Sequence, residues 1–307
     1  MKKFFMLICA EVLRLKDYKI IRSKVFRLMI LPLLILSLAM TGCGGQGDDT
    51  KSSAKDTPIK IGIIKRLNVT EITLDTYLKQ AAARASKAAY LAPQQIFFDN
   101  MSSMIAALQA GQIDELSTYR CVAKYLLAQN SDMEDLGDRV PKISDSFCCA
   151  LREEDSALKN EFDSALKKIT ADGTLAELTE KFINEVDYTE PLPVVELPHF
   201  ENAPTIKIAV TGDLPPLDYA RADGTPAGFN TAVLAEISKI IERNFELIQI
   251  DSGARAAALA SNQVDVVFWA VMPGDNTFFP VNIDRPDGVI LTEPYFSDEV
   301  AHVKLKK

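Results

Sequence analysis

Apolar and polar residues alternate in two short segments of closely similar sequence. Ile59 to Ile63 reads IKIGI, and Ile206 to Val210 reads IKIAV. Strict alternation of this kind predicts β-strands that bury one face. We predict helices at 71–89 and 230–243, and second strands at Gln95 to Phe98 and Phe245 to Ile250. Two halves of the chain therefore begin with the same strand–helix–strand unit.

The similarity continues into a helix, a turn and a third strand. Ala106 to Asp114 reads AALQAGQID, and Ala257 to Asp265 reads AALASNQVD. Strands that alternate with helices form parallel sheets, and ligands bind such sheets beyond the carboxyl ends of the strands. The predicted fold class is therefore α/β, with two Rossmann-like lobes and a ligand cleft between them. We expect Asp114 and Asp265 to bond turn amides, not to act as catalytic groups.

A proline-rich segment separates the two halves. Tyr188 to Pro204 contains four Pro, which is typical of a linker or of a segment that crosses the surface. The predicted domains are a signal peptide at 1–42, a flexible tether at 43–57, a first module at 58–187, the linker at 188–204 and a second module at 205–307.

The amino-terminal segment has the pattern of an export signal. Leu28 to Met40 is a mainly apolar run of 13 residues that follows Arg22, Lys24 and Arg27. A basic stretch, a short apolar stretch and small residues at a cleavage site describe such a signal. As a helix the run would span about 20 Å, which is too short for a hydrocarbon core of roughly 30 Å.

A cysteine follows this apolar run directly. Ala39 to Cys43 reads AMTGC, which resembles a bacterial lipobox and implies cleavage before Cys43 and lipidation of its thiol. The small and polar residues after Cys43 then form a flexible tether. The alternative is an uncleaved membrane anchor with an incidental Cys. Both interpretations predict that the remainder of the chain lies on the extracytoplasmic face of the cell membrane.

Charge argues against a nucleic-acid partner. The net charge is −8, and residues 1–42 contribute +6, so the remainder carries −14. An acidic body repels phosphate backbones.

Cysteine and histidine are too sparse for the usual catalytic or metal sites. Beyond Cys43 the chain has Cys121, Cys148 and Cys149, with no Cys-x-x-Cys motif, and its only His are His199 and His302. We therefore expect no metal, no cofactor and no catalytic residues. The vicinal Cys are predicted to be small apolar residues of a short strand, and a disulfide from Cys121 to one of them stays open.

Three motifs in the second half resemble one protein family. Gly212 to Tyr219 reads GDLPPLDY, Asp223 to Asn230 reads DGTPAGFN, and Leu291 to Phe296 reads LTEPYF. In this order they are similar to the first ligand loop, the following hairpin and the crossing-strand entrance of the bacterial extracellular solute-binding proteins, family 3. The resemblance implies the periplasmic-binding-protein type II fold.

The order of the halves differs from that of the family, in which the lobe with the Pro-Pro loop comes first. Here residues 58–145 look like the family's second lobe, and residues 147–183 look like its carboxyl-terminal tail. We favour a circularly permuted chain, which is physically easy when termini lie close together at the surface. Two shortened tandem copies are the alternative.

The resemblance implies a ligand clamp, but this sequence departs from its pattern. Arg285 is the nearest candidate for the Arg that holds a ligand carboxylate, and Tyr119 stands where the family has an ammonium-binding Asp. Trp269 is predicted at the carboxyl end of a strand from Val264 to Phe268. The candidate ligand-binding residues are Asp213, Leu217, Tyr219, Trp269, Arg285, Lys65, Arg66, Asn68 and Tyr119.

The resemblance also implies a function. We expect a monomeric, lipid-anchored substrate-binding protein of an ABC transporter, which captures a small polar, amino-acid-like solute and delivers it to separate permease and ATPase subunits. One alternative is an extracellular sensor or scaffold with the same fold. Another is an enzyme on this fold, such as a dehydratase, which the scarcity of His and of clustered acid–base groups disfavours.

Overall fold

The computed structural model describes residues 58–84, 93–137, 142–190, 192–221, 223–274 and 279–307. The predicted signal peptide, Cys43 and nearly all of the predicted tether lie outside these residues. Within the described part of the chain, no helix has both the length and the apolar character needed to cross a bilayer.

The first half forms a parallel α/β unit. Strand β1 pairs in parallel with both β2 and β3, as the strand–helix–strand prediction requires. The elements are β1 (Lys60–Ile64), α1 (Glu71–Arg84), β2 (Gln94–Phe98), α2 (Met101–Gln109), β3 (Glu115–Tyr119), α3 (Arg120–Gln129) and β4 (Met133–Asp135).

The second half repeats this plan after an intervening strand and helices. The intervening elements are β5 (Ser144–Arg152), α4 (Ser156–Ala171) and α5 (Thr174–Thr179). The repeat consists of β6 (Thr205–Val210), α6 (Phe229–Ile241), β10 (Asn244–Gln249), α7 (Arg255–Ala260) and β11 (Val266–Pro273). A small sheet of β7 (Asp213–Leu214), β8 (Asp218–Ala220) and β9 (Pro226–Ala227) lies between β6 and α6 in sequence, and β12 (Val289–Leu291) and β13 (Phe296–Leu305) complete the fold.

Apart from the small sheet, the strands form one continuous ten-stranded sheet that divides at β13 into two five-stranded parts, and each part takes one strand from the other half of the sequence. The first lobe has the order β2-β1-β3-β13-β4, and the second has β10-β6-β11-β5-β12. Strand β13 joins them, because Phe296 to Glu299 pair with β5 while Val300 to Val303 pair with β3. The predicted α/β fold with two lobes is confirmed.

The core of the second lobe includes the apolar face of α4. On α4, Phe162, Leu166 and Ile169 are buried, and the ring of Phe162 stacks on Phe245 of β10 with centroids 5.8 Å apart. Apolar residues at helical spacing thus pack α4 against the second sheet.

The paired Asp residues hold the sheets together at their amino-terminal edges. Asp114 Oδ2 accepts a hydrogen bond from the backbone N of Lys60 at 2.8 Å, and Asp265 Oδ2 accepts one from the backbone N of Lys207 at 2.9 Å. Each Asp therefore bonds the start of the neighbouring strand, whereas the sequence predicted a bond to its own turn.

The three cysteines of the described chain are free and buried. Cys148 and Cys149 lie inside β5, as predicted, but this strand is longer than the predicted segment Phe147 to Leu151, because β11 pairs with it from Asp145 to Leu151. Burial raises the pKa of Cys149 well above its usual value, so this thiol stays protonated and unreactive.

Candidate functional site

The carboxyl ends of β1 and β3 in the first lobe face the second lobe across a narrow interface, here called the seam. Ile63, Ile64, Arg66, Ser117, Thr118 and Tyr119 line it from the first lobe, and Leu214, Trp269 and Val300 line it from the opposite side and the crossing strand. The cavity between them is about 30 Å³, which holds water but not an amino acid. The described form is therefore closed.

Trp269 occupies the second-lobe side of the seam. It was predicted at the carboxyl end of its strand, but β11 continues to Pro273 and Trp269 lies in its middle. The pairing of β11 with β5 shifts register between Phe268 and Ala270, and Trp269 adopts a φ of 64° there. A positive φ is uncommon for a bulky residue and marks a constrained site. The bulge, absent from the sequence prediction, gives the indole a buried place at the seam.

The side chain of Arg255 packs on this indole. Arg255 is 0% exposed, and its guanidinium carbon lies 4.2 Å from the Trp269 ring centroid. Nη1 donates to the carbonyl oxygen of Trp269 at 2.6 Å, whereas Nη2 is buried without a hydrogen-bond partner. Burial lowers the pKa of Arg255 to about 10, although Asp284 and Asp218 act in the opposite direction. A cation with one unsatisfied donor is a candidate anchor for an anionic ligand group.

Three carboxylates of the second lobe surround this cation. Asp218 accepts hydrogen bonds from the backbone N and the hydroxyl of Thr211, both at 2.8 Å, and burial raises its pKa. Burial also raises the pKa of Asp213 to about 6, against the effect of its bond from the backbone N of Met101. Burial raises the pKa of Asp284 despite the nearby Arg66.

The first-lobe side contributes a second buried charge cluster. Arg66 Nη2 lies 2.7 Å from Asp145 Oδ2, and the hydroxyl of Tyr119 donates to the same oxygen at 3.1 Å. Burial alone would lower the pKa of Arg66, but Asp145, Tyr119 and Asp284 together outweigh it and the pKa is raised. The guanidinium therefore stays charged at the seam.

Direct hydrogen bonds tie the lobes together around the seam. Asn68 donates through its backbone N to Asp284 Oδ1 at 3.1 Å, and the backbone N of Ser252 donates to the carbonyl of Asp99 at 2.9 Å. Lys65 Nζ pairs with the same Asp99 at 3.0 Å. Lys65 and Asn68 thus lie at the rim, next to interlobe contacts that any opening would break.

Six of the nine candidate residues lie outside the seam lining, among them Leu217, Tyr219 and Arg285. Leu217 is 1% exposed and belongs to the apolar core. Tyr219 pairs with Asp213 in the small sheet, and its buried hydroxyl has no hydrogen-bond partner. Arg285 has an exposed side chain, while its carbonyl accepts from Asn68 Nδ2 at 3.3 Å. Their ligand contacts stay predictions.

Sequence reasoning missed the most buried charges of the site. Arg255 lies in an alanine-rich helix, at the position that corresponds to the buried Met104 in the repeat. A charged residue on the buried face of a helix was the signal that could have revealed it. Asp284 lies in a segment whose sequence departs from the family pattern, so alignment of motifs could not identify it.

Among residues 58–84, 93–137 and the later described ranges, no group of three or more His, Cys, Asp or Glu could hold a metal ion. The chemistry that the seam offers is charge pairing, hydrogen bonding and aromatic stacking.

Two α/β lobes, joined by crossing strands, face each other across a charged seam, which is where proteins of this architecture bind ligands. The model of one family, the bacterial extracellular solute-binding proteins, family 3, matches residues 206–304. Over these residues the chain is similar to that family, as the motif resemblance predicted.

Individual relatives are similar over limited parts or at low identity. The ABC transporter glutamine-binding protein GlnH of Bacillus subtilis (strain 168) is 30% identical over 88 residues, which are 29% of this chain and 32% of that protein. The match thus spans about a third of the relative's length.

Solved structures with the same kind of architecture are distant. The GluR0 ligand-binding core in complex with L-glutamate has a TM-score of 0.37 and 12% identity, over 82% of this chain and 86% of that one. The alkanesulfonate-binding protein SsuA from Xanthomonas axonopodis pv. citri, bound to MOPS, has a TM-score of 0.37 and 12% identity, over 83% and 67%.

Proposed function

We propose that this chain is the solute-binding component of an ABC uptake system, which holds a small amino-acid-like solute at the seam and delivers it to a membrane permease. The observation that carries the proposal is the buried Arg255 guanidinium, which lies against Trp269 at the seam with one donor unsatisfied. The family match and the similarity to a glutamine-binding relative support the same role.

The charges at the seam suit a solute that carries both signs. Arg255 and Arg66 can hold a carboxylate, because a guanidinium offers a planar fork of donors. Asp213 and Asp284 can hold an ammonium group, provided that they ionise when the solute binds. Such a clamp does not use Arg285. It also has no acidic residue at the position of Tyr119, because a Tyr cannot pair with an ammonium ion as an Asp would.

Binding requires the seam to open. The cavity of about 30 Å³ excludes an amino acid, so the solute must enter an open form and replace lobe-to-lobe bonds such as that from Asn68 to Asp284. A solute that bonds both lobes favours the closed form by its differential affinity. The closed form is then the one that docks on the permease.

The anchor and the partners are part of the proposal. Cys43 would carry the lipid, and the residues after it would let the lobes sample the space above the membrane. The permease and the ATPase would be separate chains, no catalytic step would occur, and the protein would act as a monomer.

The order of lobes is best explained by circular permutation. Strand β5 follows the first lobe but completes the second sheet, and β13 follows the second lobe but completes the first. Two tandem copies would each need a complete sheet of their own. This exchange supports the permuted arrangement, in which the domain boundaries proposed from sequence describe segments of one two-lobed body.

One observation favours the alternative of a sensor or scaffold. The seam is closed by the protein's own side chains, and an extracellular scaffold would need no solute to stay closed. A thermal-shift screen of residues 44–307 with amino acids, amines and organic acids distinguishes the two.

For transport we expect a solute that stabilises the protein by about 2.7 kcal/mol when it is present at 100 times its Kd. If no compound in these classes changes the melting temperature, the solute-binding proposal is wrong.

A further inference from the structure

A second cavity, of about 520 Å³, lies in the first lobe between its sheet and helix α1. Leu74 and Leu78 of α1 line one side, and Ile61 and Ile63 of β1 line the other. The volume falls within the range of about 300–1,000 Å³ that is usual for pockets that hold small organic ligands. The seam, by contrast, holds only water in the described form.

The sheet face that lines this cavity is divided into an apolar and a polar half. Parallel pairing places Ile61 beside Glu115 and Ile63 beside Ser117, and antiparallel pairing places His302 beside Ser117. The apolar half therefore consists of β1 and β2, with Ile61, Ile63 and Phe97. The polar half consists of β3 and β13, with Glu115, Ser117, His302 and Lys304.

The charged groups of the polar half are already paired. His302 Nδ1 lies 3.1 Å from Glu115 Oε2, and Lys304 Nζ lies 3.1 Å from Glu134 Oε1. The hydroxyl of Ser117 has no hydrogen-bond partner within the described residues. An ionic ligand group would add an unpaired charge to this partly buried site, which costs free energy. An uncharged group can form a hydrogen bond with Ser117 without that cost.

The cavity does not reflect loose packing throughout the first lobe. On the opposite face of β1, a Cβ added at Gly62 would lie 2.6 Å from Ile113 Cδ1, so that face is closely packed. Protein interiors contain few voids larger than a water molecule, so a space of this size beside a closely packed face is unusual. The cavity under α1 is therefore suited to a ligand.

We propose that the first lobe holds a second ligand site, distinct from the seam, for a small amphiphile with an apolar body and an uncharged hydrogen-bonding head group. The body would lie between Leu74, Leu78 and β1, and the head group would bond Ser117. The proposal does not depend on solute binding at the seam, although Arg66 lines both cavities.

The test uses residues 44–307 with 1-decanol, decanoate and decylamine, three compounds that share one chain and differ in the head group. Displacement of the fluorescent probe N-phenyl-1-naphthylamine gives the affinities. We expect decanol to bind about tenfold more tightly than either ion, because an ion would bring an unbalanced charge into the site. A folded protein that binds none of the three, or that binds the ions as well as decanol, would overturn the proposal.

Matched variants on one helix locate the site. Leu78→Trp fills the cavity, whereas Ile72→Trp changes a residue that is 80% exposed on the same helix. We expect Leu78→Trp to lose decanol binding and Ile72→Trp to keep it, with circular dichroism unchanged in both. Retained binding in a folded Leu78→Trp would place the ligand elsewhere and contradict the proposal.

A third variant covers the case in which Leu78→Trp does not fold. Ser117→Ala removes the unpaired hydroxyl without adding bulk. We expect it to bind N-phenyl-1-naphthylamine as the unmodified protein does but to bind 1-decanol several-fold more weakly, because the head group loses its hydrogen bond. An unchanged affinity for 1-decanol would show that Ser117 does not bond the head group and would contradict the proposal.

Discussion

The two lobes share one backbone arrangement, here called the frame, and differ in the side chains that they bury near the seam. Asp114 and Asp265 each accept a hydrogen bond from the first strand of their sheet, at 2.8 and 2.9 Å. Gly111 and Asn262 each turn the chain before the third strand with a positive φ, of 67° and 58°. Residues that bond or turn the backbone are thus retained in both lobes.

The buried helix positions behind the seam do not match. Met104 of α2 is fully buried in the first lobe, and its counterpart in α7 is the fully buried Arg255. Thr118 of β3 corresponds to Trp269 of β11. The first lobe therefore buries a thioether where the second buries a cation on an indole. The comparison teaches that the repeat specifies the frame, while these exchanges create the charged seam.

Expressing the two halves of the chain separately should have the largest effect on folding. If residues 44–190 and 200–307 are expressed apart, each sheet lacks the strand that the other half donates, β13 or β5. We expect neither half to show a cooperative melting transition, and we expect a co-expressed pair to assemble into one folded complex. Two halves that melt cooperatively alone would show independent tandem domains and would disprove the permuted arrangement.

The repeated frame could be predicted from the sequence because it depends on local pattern. Alternation predicted β1 and β6, and the helix–turn–strand similarity predicted α2 with β3 and α7 with β11. The exchange of β5 and β13 could not be predicted in the same way. The sequence of a strand does not identify the strand with which it pairs, and pairing across lobes depends on contacts that are distant in sequence.

A small change in the first lobe should disturb its frame measurably. Gly62 faces Ile113 and Met104 at close range, whereas the second lobe has Ala209 at the equivalent position, in one apolar cluster with the smaller Val264. We expect Gly62→Ala to cost about 1–3 kcal/mol through overpacking, and thus to lower the melting temperature by about 2–4 °C per kcal/mol.

A second substitution in the same contact provides the control. Ile113→Val, which copies the second lobe at the position of Val264, should recover part of the loss in the double variant. If thermal unfolding shows that the double variant loses the sum of the two single losses in stability, this explanation of Gly62 is contradicted.

Asp114 and Asp265 should differ in how much they contribute to the free energy of unfolding. Asp114→Ala removes one bond to a backbone amide and should cost about 1 kcal/mol. Asp265→Ala also removes a contact with Arg152 Nη2 at 3.3 Å and should cost about 2 kcal/mol. Urea denaturation measures both, and a larger loss for Asp114→Ala would reverse the expected order.

A further expected effect is a pH dependence that comes from Asp213. Burial raises its folded-state pKa to about 6, above the unfolded value of roughly 4. The folded state then binds more protons, so this group makes the free energy of unfolding fall as pH rises from about 4 to 6. We expect a fall of about 1–2 kcal/mol after allowance for partial exposure. Asp213→Asn should flatten the profile, and an unchanged slope in that variant would assign the effect to another group.

The candidate site was only partly predictable, for a physical reason. Arg66 follows β1 and Tyr119 ends β3, where ligand contacts are expected, and Trp269 was predicted at a strand end. The structure brings all three to the seam. Arg255 and Asp284 were missed because their role depends on tertiary burial. Neither belongs to a motif, and burial of a charge becomes visible only when the two lobes are assembled.

The most direct test of the central claim is calorimetric binding of the solute that the thermal-shift screen identifies, with the unmodified protein and two arginine variants. Arg255→Met gives the second lobe the residue that the first lobe carries at the same position, and Arg285→Met changes the exposed arginine that the family pattern suggested. We expect Arg255→Met to lose about 2–5 kcal/mol of binding free energy and Arg285→Met to bind as the unmodified protein does. Unchanged affinity in Arg255→Met, with a loss in Arg285→Met, would contradict the assignment of the seam and its buried cation as the solute site.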